Sequence, residues 1–395
     1  MNISLDSQSL FNAVELSIYQ EEDGRFHIAN DTALYSLFTI INIVKAVSKD
    51  PIHDLFLLDK NGRSLVAHNR FLEQALSSLI SVRELCNSNY ACEHLDVFIE
   101  AYQVAVAPYI HPDDEYVFWR AQPNQKFEIL ANDNGLIQGS KSAAALKNSL
   151  VYEISLRTDQ AKFKTAQYER SRKAKRQYER ATKLVNSLKR TFSKLLVLRI
   201  DFCWKNEPTS TIDEIKVHFS RFMKRFHHDK NLPNIVGYIW KLEFGRKKGY
   251  HYHCIFFMDG NRFKSDSHYA STIGKYWNKL TLNKGFFYNC HLDKIKYRHL
   301  AIGLARHNDQ VFFTNLDQVL LYICKQDQFI IDKHLQSGEI RVFQTSQPPT
   351  KATNLGRPRK LEHIHELAPP ISRPSKALFR SQIKRPFLSG AQHEF

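Results

Sequence analysis

The feature that most constrains the fold is a pair of strand-like runs joined by five residues. "NIVGYIWKLEF", residues 234–244, and "YHYHCIFFM", residues 250–258, are rich in aromatic and β-branched residues, and "GRKKG", residues 245–249, separates them with a glycine at each end. Two such runs with so short a connection close as an antiparallel hairpin. Pairing Phe244 with Tyr250 sets Glu243 across from His251 and Lys241 across from His253. Side chains alternate along a strand, so His251, His253 and Glu243 share one face while Tyr250, Tyr252 and Cys254 take the other.

Two imidazoles and a carboxylate on one face can bind a divalent cation and leave positions open for a phosphate oxygen. Mg2+ or Mn2+ is the expected ion, and because histidine is a less usual ligand for Mg2+, Mn2+ should bind at least as well. A His-x-His pair arises readily by chance in a chain with 18 histidines, and His363 and His365 form a second one. A satisfied pair of core histidines is the plain alternative. The apolar neighbours "CIFFM" weigh against it at His251 and His253, because they offer no acceptors for two buried ring N–H groups. The loop cations Arg246, Lys247 and Lys248 are expected to meet a polyanion.

Around the hairpin the chain alternates between strand and helix patterns. "KLLVLRIDFCW" reads as a strand, "TIDEIKVHFSRFMKRFHH" and "SHYASTIGKYWNKLT" as amphipathic helices, and "TNLDQVLLYICKQDQF" as a helix capped by Thr314 or Asn315. The order predicts an α+β fold, with a central antiparallel sheet covered by helices on one face. Residues 30 to about 110 carry helical periodicity and no evident chemistry.

Charge divides the chain. Residues 1–150 hold 11 Lys and Arg against 19 Asp and Glu, whereas the whole protein is at +16. The remainder is therefore strongly basic, as in nucleic-acid-binding proteins. Residues 157–190 alone hold 12 Lys and Arg against 3 acids with no Gly or Pro. They predict a basic helix with a solvated first half, and Arg172, Lys173, Lys175 and Arg176 as candidate phosphate contacts. From Pro348 onward 7 of the 13 prolines accompany 9 Lys and Arg, the composition of a disordered basic tail. Within it "GRPRK", Gly356 to Lys360, is similar to an AT-hook core that would place Arg357 and Arg359 in an A·T-rich minor groove.

The expected organisation is a mainly helical accessory domain over 1–150, a basic helical linker over 151–192, the α+β domain over 193–346 and the tail over 347–395. Six cysteines without C-x-x-C spacing predict reduced thiols, hence a cytoplasmic protein, and no run is long enough for a membrane span.

A phosphodiester polarised by a metal needs an attacking group, and tyrosine can serve. A lysine one helical turn away would share its face and stabilise developing charge. Tyr238/Lys241, Tyr276/Lys279 and Tyr322/Lys325 meet that spacing. On a strand the first pair would point apart. Tyr322, on a separate amphipathic helix, is preferred, with Tyr276 as the alternative.

The ordered set "LLVLRIDF", "WKLEFGRKKGYHYHCIFF" and "LLYICK" resembles the three motifs of HUH endonucleases. Specifically, it resembles the gene II-type replication initiators of filamentous phages (inoviruses) and their prophage relatives with a YagK/YfjJ-like C-terminal domain. The resemblance covers roughly residues 190–345. It implies a C-terminal HUH-type domain with His251 and His253 as metal ligands, Glu243 as third ligand, Tyr322 as nucleophile and Lys325 as its helper. The implied activity is rolling-circle initiation: one strand is nicked at a single-stranded or hairpin origin, held as a 5′-phosphotyrosine and rejoined, with host replication proteins as possible partners. Asp201, in the first motif, would assist the metal or pair with Arg199 or a lysine. A DNA-binding prophage regulator that does not cut, an HUH transposase or relaxase, and a purely metal-dependent nuclease are the competing expectations.

Overall fold

The computed structural model describes residues 18–20, 26–28, 32–51, 54–61, 63–80, 82–86, 90–130, 137–204, 211–226, 228–245, 249–325, 331–332 and 340–349. The fold is α+β. In the first part of the chain, α1 (Thr32–Lys49), α2 (Arg70–Ser77), α3 (Glu93–Ala105) and α4 (Ala143–Asp159) enclose one core that includes Leu37, Ile41, Phe98, Tyr102, Trp119 and Leu150. Short antiparallel pairs, Phe56–Leu58 with Ser64–Ala67 and Lys126–Leu130 with Ile137–Ser142, interrupt the helices.

The basic segment forms α5, a helix of 31 residues from Ala161 to Thr191. Its first half is not simply solvated, contrary to the sequence reading. Phe163 is buried in the first core, and Arg170, 8% exposed, donates to Glu93 of α3 at 2.7 Å. Its second half packs Tyr178, Ala181, Leu184, Val185 and Leu188 onto the sheet, following the apolar stripe in the sequence.

The sheet has six strands: β1 (Lys194–Trp204), β2 (Gly237–Gly245), β3 (Gly249–Asp259), β4 (Gly285–Asn289), β5 (Gly303–Arg306) and β6 (Phe343–Thr345). Its spatial order is β4-β1-β3-β2-β6, with β5 also pairing β1, and every pairing is antiparallel. The hairpin register joins Phe244 to Tyr250, Glu243 to His251 and Lys241 to His253. Gly249, at φ +64°, takes the left-handed backbone that closes the turn.

Both faces of the sheet are covered, which corrects the one-face expectation. Phe202, Leu242, Tyr252, Cys254 and Phe256 pack under α6 (Ile212–Arg225) and α7 (Asp266–Leu280). On the other face Val197, Ile239, Ile255 and Phe257 pack under α5 and α8 (Gln310–Lys325). A strand buried on both sides needs apolar residues at every position, hence the unbroken "CIFFM". Helix α8 also begins earlier than expected. Asp309, rather than Thr314 or Asn315, caps it, accepting the Phe312 N–H at 3.0 Å.

Among the described residues no helix is long and apolar enough to cross a membrane, and the six cysteines are free thiols.

Candidate metal centre

The face of the sheet under α5 and α8 turns polar at the end of the hairpin. Hairpin register and alternation bring Glu243, His251 and His253 together there, at 9%, 3% and 6% exposure. One ligand atom from each residue falls in a set whose members all lie within 4.8 Å of one another. Glu243 Oε2 is 3.2 Å from His253 Nε2 and 3.8 Å from His251 Nε2. Two ligands each ~2.1 Å from one ion and at roughly right to tetrahedral angles stand ~3–3.5 Å apart. The Glu243–His253 distance matches that spacing and the Glu243–His251 distance is a few tenths of an ångström wider, so a small side-chain adjustment would close the set on a single divalent cation.

The other ring nitrogens are held from behind. His251 Nδ1 donates to the Gly249 carbonyl at 3.1 Å, which leaves its Nε2 as the lone-pair nitrogen. His253 Nδ1 lies 2.8 Å from Asp201 Oδ1 on the neighbouring strand, where Asp201 is the direct partner of His253. This carboxylate–histidine arrangement is the usual outer shell of a metal-binding imidazole. Asp201 also stands 3.8 Å from Arg199 Nε, so it lies beside both a candidate metal ligand and a cation.

Burial pushes the His253 pKa down, but Asp201 and Glu243 together outweigh it and raise the ring to about 9. Burial likewise works to raise Glu243, yet His253, His251 and Lys241 hold its carboxyl below the ordinary value. The raised pKa favours a proton on His253 between the two carboxylates, and a cation held by this set would take that proton's place. Lys241, 1% exposed, lies across from His253 and donates to Gln177 of α5 at 3.2 Å, so α5 reaches the edge of the centre.

The tyrosine candidates separate by face. Tyr322 is on α8, whose Leu316, Leu320, Ile323 and Cys324 pack on the histidine side of the sheet, and its ring is half-buried against that cluster. Tyr276 is on α7, on the opposite side, with its hydroxyl donating to Asp229 at 2.6 Å. Tyr238 also faces that side, and its hydroxyl accepts from Gln344. The sheet thus stands between Tyr276 and the histidines. Lys325 ends α8, and its side chain lies outside the described residues.

Of the expected nucleic-acid contacts, Arg246, Lys247, Lys248, Arg357 and Arg359 lie outside the described residues, as do His363 and His365. On α5, Arg172 is exposed and paired with Glu169 at 2.7 Å, and Lys175 stands 4.0 Å from Glu179. Lys173 and Arg176 line an open cleft of about 420 Å³ that also holds Glu93, Asp96 and Glu100. These cations are accessible, but acids accompany them.

Cys92, Glu93 and His94 form a second cluster of possible ligands, one that sequence reading did not single out. Arg170 already occupies the Glu93 carboxylate, and Gln167 lies 3.1 Å from His94 Nε2. Burial drives His94 down to about 3 and Cys92 up to about 12. The cluster is a packed junction between α3 and α5.

Compared with known proteins, residues 157–339 match the model of the YagK/YfjJ C-terminal domain. That segment begins in α4, takes in α5, strands β1 to β5 and α8, and ends before β6. No curated protein and no solved structure matches the chain.

Proposed function

We propose that this protein nicks and rejoins one DNA strand at an origin, as a rolling-circle replication initiator with Tyr322 as the nucleophile. The observation that carries the reading is the convergence of Glu243, His251 and His253, with Asp201 and the Gly249 carbonyl orienting the two rings, on the sheet face that also receives α8. Mg2+ or Mn2+ held there would supply a Lewis acid for a non-bridging phosphate oxygen.

The residues then divide the work. The Tyr322 hydroxyl oxygen forms a P–O bond as the P–O3′ bond breaks; the phenol gives up its proton and the departing O3′ gains one. The 5′-phosphate stays on the tyrosine and the free 3′-OH can prime synthesis. One phosphodiester replaces another, so the reverse reaction rejoins the strand. Lys325, one turn along, stabilises charge at the tyrosine. Arg246, Lys247 and Lys248, the α5 cations Arg172, Lys173, Lys175 and Arg176, and the tail arginines Arg357 and Arg359 hold the DNA backbone. Host replication proteins are the natural partners, and the cytoplasm the natural place.

The test is incubation with single-stranded DNA and hairpin DNA from the protein's own genetic neighbourhood, with Mn2+ or Mg2+, followed by a denaturing gel. A chelator-sensitive covalent adduct that Tyr322→Phe abolishes and Tyr276→Phe retains is expected. A second reading, DNA binding without cutting, draws on the raised His253 pKa, which lets the ring carry a proton between Asp201 and Glu243 and offset one of their two charges. Tight DNA binding with neither adduct nor metal uptake would favour it.

A further inference from the structure

Strands β4 and β5 are two parts of one broken edge strand. Both pair antiparallel with β1, β4 along Ile200–Trp204 and β5 along Lys194–Val197, and residues 290–302 leave the sheet between them. His291 closes the gap. Its Nε2 accepts the Arg199 backbone N–H at 3.2 Å, where an unbroken strand would supply a carbonyl. Its Nδ1 lies 3.0 Å from Asp266 Oδ2, which also accepts from Lys294. At the far end Gly303, at φ +110°, turns the chain back into β5.

The excursion is anchored at its ends and bare at its crest. Ile295 is 98% exposed and Leu292 73%, with Arg298 exposed and Lys294 half-exposed beside them. Tyr297 ties the crest to the candidate metal centre. The Arg199 guanidinium stands 5.5 Å from its ring centroid and 3.8 Å from Asp201, which holds His253. Ile295 is two residues from Tyr297, a backbone span of at most ~7 Å. Tyr297, His299 and Ala301 also close over Arg199 together with Leu316 and Val319 of α8, so the excursion and the Tyr322 helix form one wall.

Two aliphatic side chains standing clear of the surface between cations have the make-up of a wedge that enters between base steps, while the cations meet the adjoining phosphates. We infer that residues 290–302 open DNA at a junction of paired and unpaired strand. Leu292 and Ile295 take the place of a stacked base, Arg298 holds the neighbouring phosphate, and the freed strand is led along the wall shared with α8 toward His251 and His253. The inference rests on the nicking reading for where the strand goes, and on the excursion itself for the opening.

The experiment is chosen to separate the two. A hairpin with a single-stranded arm carries the fluorescent adenine analogue aminopurine at the pair next to the arm, and the full chain is added with a chelator so that no cutting occurs. Wild type should raise the fluorescence as the base unstacks. The Leu292→Ser/Ile295→Ser variant should give no rise and bind the junction about tenfold more weakly, with binding to an unpaired strand and thermal unfolding unchanged, since both side chains are exposed. Equal unstacking by the variant overturns the wedge. Equal unstacking together with a smaller sedimenting species would assign the crest to contact with a second copy of the chain. Failure of the adduct assay leaves this result standing, because no strand is cut.

Discussion

Asp201 Oδ1 lies 2.8 Å from His253 Nδ1, and the opposite nitrogen of the same ring faces Glu243. The carboxylate stands behind the ring, beside the nitrogen that does not face Glu243. Asp201→Asn is therefore expected to weaken Mn2+ binding by about 10- to 100-fold, measured by titration calorimetry. An unchanged affinity would remove Asp201 from the centre.

Tyr276→Phe loses only the hydrogen bond to Asp229. About 1 kcal/mol of stability should go in urea denaturation, with metal affinity untouched because the sheet separates this ring from the histidines.

Arg170 and Glu93 form an ion pair buried on both sides. Arg170→Met leaves a carboxylate without its cation, and a loss of about 3–5 kcal/mol is expected. Adding Glu93→Leu should restore part of it. A double variant no better than the single one would show that the pair is not the source of the loss.

Lys147 is 2% exposed, with its ammonium donating to the Trp119 carbonyl. Burial lowers its pKa to about 8, against a smaller upward pull from Glu73. Between pH 8 and the ordinary lysine value the unfolded chain holds a proton that the folded chain does not, so wild type gains stability as pH rises through that window. Lys147→Met lacks this gain. The unfolding free energy of the variant minus that of wild type should fall by up to about 3 kcal/mol from pH 8 to 10.5, measured by denaturation at each pH.

The hairpin and its register were legible because a glycine-bounded loop with cations at its centre leaves few ways to close. Two-sided coverage was not, since an apolar run such as Cys254–Met258 reads the same whether one helix layer or two lies over it. The Arg170 contact was hidden because a cation in a basic helix looks solvated until its acid, Glu93, arrives from 77 residues away. The broken edge strand left no signal either: Gly285–Asn289 and Gly303–Arg306 are short, and only their shared partner β1 shows that they belong to one line.

Helix α5 belongs to two cores at once, through Phe163 and Arg170 at one end and Tyr178 to Leu188 at the other. A helix turns about 100° per residue. One residue inserted between Arg170 and Gln177 would swing the accessory core around the sheet by that angle, whereas exchanging exposed residues on α5 would leave the two in phase. The spacing between these contacts thus acts as a gear tooth, fixing the angle at which anything carried by the first 150 residues is presented to the sheet.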